Sequence, residues 1–297
     1  MNRRLHFRSG PLFLILVSLI IFNPGTVLAE SPWQWNMVLK QDKDGDSMIM
    51  PTSLYIDPDK SLYYVVDSGR NRLLSFDRKG ELLSIFTAGR ELDIPFDMAR
   101  TDEEGLWVVE KGKNSLSYID LKARKVISNT LHYNGELIYP DRLEAEAGQL
   151  FILNKATGNI LQYDADLKPG TRFSCEDCPW GFVDFKIHEN SLWALDQRLN
   201  ILYRFTMDGR QQEKIELGDT ISFPVSFAIG PAGYLYILDR HGRKVSVHDK
   251  TGDFKYSFLA KGIARGQVYY PSEIRFDPWG GLCIVDEGNA RVEVFMR

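Results

Sequence analysis

The sequence predicts an all-β protein, a six-bladed β-propeller of four-stranded blades. Three observations predict it. A pattern of a short apolar strand near a Pro, a second strand ending in an acid and a Gly/Asn/Arg turn recurs six times. Its anchors are Pro51, Pro95, Pro140, Phe182, Pro224 and Pro271, at steps of 44, 45, 42, 42 and 47 residues. A period of 40–50 residues with four strands per unit is the signature of a propeller. Finally, the last copy stops at Arg297 one strand short, and a matching strand stands before the first copy, in 33–40.

The chain opens on a segment set apart from the repeats. Arg3, Arg4 and Arg8 precede an uncharged run from Pro11 to Phe22, and Val27-Leu28-Ala29 supplies small residues for cleavage. This is the layout of a secretory signal peptide over 1–29, with an apolar run short of the roughly 20 residues that span a bilayer. The expected domain is 30–297, with no transmembrane segment after cleavage and a periplasmic or secreted location. Removing 1–29 leaves 36 − 3 = 33 basic against 40 acidic residues, a net charge of −7. That balance argues against a nucleic-acid partner, which needs a basic face. The remaining 268 residues nearly equal six repeats of about 44, so no second domain is expected.

In the first repeat, strand a is expected over Ser53–Ile56, ended by the Asp57-Pro58-Asp59-Lys60 turn. Strand b runs over Leu62–Val66, and its equivalents start at Leu106, Leu150, Leu192, Leu235 and Leu282. These are near-continuous apolar runs, as expected where both faces of a sheet are covered. Strand c follows at Leu73–Phe76 and turns through Asp77-Arg78-Lys79-Gly80 into a variable outer strand d. Residues 33–40 then complete the sixth blade from the N-terminal side and remove the open edge, so the ring is expected to be a monomer.

Asp67-Ser68-Gly69-Arg70-Asn71-Arg72 and Asp286-Glu287-Gly288-Asn289-Ala290-Arg291 resemble the turn of NHL repeats, an acid followed by Gly, Asn and Arg. The match fades in blades two to five; Asp196-Gln197-Arg198-Leu199-Asn200 has lost the Gly. The resemblance implies the propeller architecture. It does not fix an activity, because the family includes RNA-binding modules, secreted enzymes and interaction scaffolds.

Two positions after each anchor stand Ser53, Asp97, Arg142, Asp184, Ser226 and Glu273. Asp97, Asp184 and Glu273 fall in alternate blades, a threefold set of carboxylates that could hold a hard cation such as calcium. This layout resembles lactonase-type and phosphotriesterase-type propellers, and implies a metal-dependent hydrolase, lactonase or lyase working at the channel mouth. The opposing reading is ion pairing with Arg142, Lys186 and Arg275. Cys175 and Cys178 in an exported chain read most simply as a local disulfide, with a redox pair or half a metal site as alternatives; Cys283 reads as a buried thiol. His132, His188, His241 and His248 occupy unlike places in their repeats, and no hydrolase or phosphate-loop motif occurs. Trp107 and Trp193 are expected in the core by strand parity. Trp180, with Arg70, Lys113, Arg198, His241 and Arg243 in the turns on the same side, forms the expected recognition face. The leading expectation is an exported, non-enzymatic scaffold that binds a protein or extracellular polymer.

Overall fold

A computed structural model describes residues 31–41, 46–101 and 105–297; the expected leader 1–29 lies outside them. Six four-stranded antiparallel sheets follow one another in chain order around a central axis. Blade 1 consists of Pro51–Asp57, Leu62–Asp67, Arg72–Phe76 and Leu82–Phe86, from the axis outward. The second strands are buried almost throughout, because each blade packs both faces against neighbours; Gly105–Glu110 has six buried residues of six.

The ring closes as the sequence predicts. Gln34–Leu39 pairs antiparallel with Arg291–Met296, Gln34 opposite Met296 and Leu39 opposite Val292. The sixth sheet is therefore built from both chain ends, and Leu39 joins a core with Cys283, Val285 and Val292. Trp107 is buried at 8% exposure, but Trp193 is only half-buried. Strand parity assigned Trp193 to the core; its ring instead edges into a cleft, with the Arg204 guanidinium 5.4 Å from its centre. Cys175 and Cys178, with Cα atoms 5.6 Å apart, are joined in a disulfide, and Cys283 is free and buried.

Candidate functional site: the channel and its rim

The acid that ends strand b, or the Asn in blade 3, holds the link entering strand a of its own blade. Asp67 accepts the Ile49 and Met50 N–H groups at 3.0 and 3.1 Å. Glu110 takes Asp93 N–H, Asn154 takes Tyr139 N–H, Asp239 takes Ser222 and Phe223 N–H, and Asp286 takes Tyr269 N–H. Asp196 departs from the pattern and accepts from Arg198 and Leu199 in its own turn. Three of these acids are charge-paired within the blade, Arg72 to Asp67 at 2.8 Å, Lys113 to Glu110 at 3.0 Å and Arg291 to Asp286 at 3.3 Å.

The residues two after the anchors do a second job. Strand a is the inner edge of every blade, so its outward N–H groups lack a strand partner and must be satisfied otherwise. Asp97 of blade 2 accepts Leu143 N–H of blade 3 at 3.0 Å. Asp184 of blade 4 accepts Phe227 N–H of blade 5 at 3.2 Å and the Ser226 hydroxyl at 2.7 Å. Ser226 in turn accepts Ile274 N–H of blade 6, and Glu273 accepts Leu54 N–H of blade 1 at 2.8 Å. For each backbone N–H the acceptor is position two of one blade and the donor is position three of the next. The threefold carboxylates are clasps between blades.

The clasps are neutralised across the axis. Arg275 of blade 6 reaches Glu144 of blade 3 at 2.8 Å and Glu273 at 2.9 Å. Lys186 of blade 4 lies 3.2 Å from Asp184, 3.4 Å from Glu273 and 3.6 Å from Glu144. Arg142 stretches from blade 3 to the Thr52 and Ser272 carbonyls. Burial alone would raise the Glu273 carboxyl, but Arg275, Lys186 and Arg142 outweigh it and hold it down near 2. Asp97 goes the other way: burial first, then the Glu273 charge, push it up to about 7. Burial would likewise discharge Lys186, yet Asp184 and its fellow carboxylates keep it protonated.

These residues are a poor fit to a divalent cation. Calcium wants six to eight oxygens, whereas here the carboxylate oxygens serve backbone N–H groups and three cations occupy the space between them. Among the described residues no group of three His, Cys, Asp or Glu side chains is arranged to hold a metal. The histidines are scattered as well. His248 is buried with both ring nitrogens bonded, to Ser246 and Gly252, and His241 stacks on Phe223 at 4.2 Å.

The face that carries the starts of strand a is different. Arg70, Lys113, Arg198, His241 and Arg243 lie in its b–c turns, and Trp180 in the link before Phe182. Trp180 is 68% exposed, with the Arg198 guanidinium 5.5 Å from its ring centre. Arg243 lies 5.7 Å from Tyr270 and 5.9 Å from Tyr269. Arg70 is paired with Asp46, and Lys113 with Glu110.

The sequence reading placed Trp180 on this rim and missed the rest of its apolar part. One or two residues before the anchors stand Ile49, Ile94, Tyr139, Trp180 and Tyr270, all exposed, from five different blades. Phe223, half-buried, takes the place in blade 5. The signal was present as a large apolar residue beside each anchor. A run of apolar residues at a strand entrance reads as core, and only the closed ring shows that these stand outside it. Ile94 and Tyr270 have left-handed backbones (φ 50° and 51°), as does Gly181 beside Trp180 (φ 67°). For a β-branched Ile this conformation is strained, and such strain persists only where neighbouring structure imposes it.

No family model matches the chain, and no curated protein matches its sequence. Solved structures do match. A catalytically inactive virginiamycin B lyase from Staphylococcus aureus with quinupristin is 15% identical, over 83% of this chain and 80% of that one, with a TM-score of 0.62. A streptogramin B lyase is 14% identical, over 87% and 96%, at 0.61. A gluconolactonase from Xanthomonas campestris is 13% identical, over 89% and 98%, at 0.62. At these identities the likeness shows the fold alone.

Proposed function

We propose that the chain is an exported binding scaffold, freed of residues 1–29, that docks a partner protein on the rim at the starts of strand a. The observation that carries this reading is the ring of exposed Ile49, Ile94, Tyr139, Trp180 and Tyr270 interleaved with Arg198, Arg240 and Arg243. Aromatic and Arg side chains around an apolar centre are what protein interfaces concentrate. Hydrogen bonds to the Asp and Asn side chains that end strand b hold the links that carry most of these side chains, so little ordering cost remains for binding.

The test is to capture a partner with the intact protein and map hydrogen exchange on the complex. Protection is expected in the links 136–139, 178–182 and 267–270. Protection elsewhere, or capture of a polysaccharide in place of a protein, overturns the partner assignment.

A second reading is favoured by the lyases and the gluconolactonase among the similar structures: a metal-assisted hydrolase, lactonase or lyase using Asp97, Asp184 and Glu273. It requires Lys186 and Arg275 to leave the carboxylates they now pair with. Stoichiometric calcium or zinc in gently purified protein would restore it.

A further inference from the structure

The opposite face of the ring, at the a–b turns, carries a cleft of about 1140 Å³ across blades 4, 5 and 6. Unequal turns make it. Blade 4 turns in two residues, Glu189 and Asn190, both left-handed (φ 47° and 54°), between His188 and Ser191. That is the tightest hairpin connection available. Blades 5 and 6 use longer turns, through Pro231–Gly233 and Asp277–Gly281, which stand up as walls. The step between short and long turns is the cleft.

Its lining has two chemistries. Trp193 and Phe276, both half-buried, supply apolar walls, and Trp33, a core residue stacked on Phe258, also lines the space. Arg204, Lys250 and Arg297 supply positive charge beside them, with the Arg204 guanidinium 5.4 Å from the Trp193 ring centre and that of Arg297 4.9 Å from the Trp33 ring centre. Of the three, Arg204 is loosely tied to Glu213 at 3.8 Å, Arg297 donates to the Tyr236 hydroxyl, and Lys250 has no ion-pair partner among the described residues. Glu189, Glu213 and Asp277 also line the space; the Asp277 carboxylate is taken by the Tyr63 hydroxyl and the Trp279 and Gly281 N–H groups, Glu213 faces Arg204, and Glu189 lies 3.9 Å from His188 Nε2. At the deep end His188, Ile229 and Phe276 are shared with the narrow end of the channel, where Lys186 and Arg275 lie.

We infer that this cleft is a binding site for a planar organic anion, a ring system bearing a carboxylate. The rings of Trp193 and Phe276 receive the flat body, and Arg204, Arg297 and Lys250 receive the charge. A concave site with apolar walls and a few convergent charged groups is the usual form of a small-molecule site, and cations over aromatic faces favour flat anions laid between them. The site is separate from the rim and stands whether or not the rim binds a protein.

Titration calorimetry with naphthalene-2-carboxylate tests it, with neutral 2-naphthylmethanol as the matched control. The carboxylate is expected to bind saturably at one site and the alcohol at least about tenfold more weakly, which is 1.4 kcal/mol. Arg204→Gln with Arg297→Gln should weaken the carboxylate at least about tenfold. Lys250→Gln, on an exposed and unpaired residue, should weaken it a few-fold, roughly, with an unchanged melting temperature. Trp180→Ala on the far rim should change nothing. Absence of saturable binding, equal binding of the alcohol, or a Lys250→Gln and double-variant affinity equal to the wild type would each overturn the assignment.

Discussion

The axis and the rim lie a few residues apart on the same strands, yet they spend their chemistry in opposite ways. Along the axis every carboxylate is committed: Asp97, Asp184 and Glu273 take N–H groups from the next blade, and Arg275 and Lys186 offset their charge. On the rim the large side chains are left uncovered, Trp180 most of all. Charged groups in a buried channel therefore report how the ring is held shut, and the exposed apolar groups report where it meets something else. Changes on the axis should alter stability and leave binding intact; changes on the rim should do the reverse.

The largest effect is expected from Glu273→Ala. It removes the acceptor for Leu54 N–H and leaves Arg275 and Lys186 under-compensated. Breaking a buried pair on one side costs about 3–5 kcal/mol, a large part of a typical folding free energy. Chemical denaturation should show that loss; an unchanged midpoint would mean the axis is not what locks the blades.

Asp97 sharpens the comparison through pH. Its folded carboxyl titrates near 7, above the ordinary value of 3.8. Below the ordinary value both states carry the proton and there is no cost. As pH rises from about 4 to 7 the unfolded chain gives up its proton while the folded chain keeps it, so stability falls, then levels off. Glu273 has the opposite sign: its contribution is present above the ordinary 4.5 and is lost as pH falls toward 2. Asp97→Asn should flatten the decline between pH 4 and 7 in thermal melts and leave the acid-side loss in place. A decline as steep as the wild type's would remove Asp97 as its cause.

Smaller effects are expected outside the axis. Asn tolerates the left-handed conformation that Ile94 adopts at φ 50°. Ile94→Asn should therefore keep or raise stability, by up to about 1 kcal/mol, while removing one apolar group from the rim. A clear loss of stability would show that Ile94 is core after all. Replacing Cys175 and Cys178 by Ser should cost least, because so short a loop gains far less than the roughly 3 kcal/mol of a 15-residue one. A large fall in melting temperature would show that the bridge holds more than its own loop.

Much of this was legible from spacing. The anchors gave the blade number and the order of strands, and the strand left over at 33–40 gave the closure. The same spacing located Asp97, Asp184 and Glu273 and offered them a cation site or ion pairing with Arg142, Lys186 and Arg275, but not the backbone N–H groups they hold. Their partners are N–H groups about 46 residues ahead, or 219 behind in the case of Glu273 and Leu54, and a linear reading cannot show which backbone donors face the channel. The apolar rim was hidden for a related reason, since Ile94 and Tyr139 look like the first core residues of a strand until the ring closes. The a–b cleft depends on turn heights in three blades and on both chain ends, and no single motif carries it.

The most direct test sets one region against the other with a single captured partner. Its affinity should be measured for the wild type, for Asp97→Asn, and for the combined Tyr139→Ala, Trp180→Ala and Tyr270→Ala variant. The account predicts a rim loss of at least about 30-fold, equal to one interface hot spot of 2 kcal/mol, with the axis variant within about twofold of the wild type. A folded rim variant that binds as tightly as the wild type, or an axis variant that loses the partner while still folded, would contradict it.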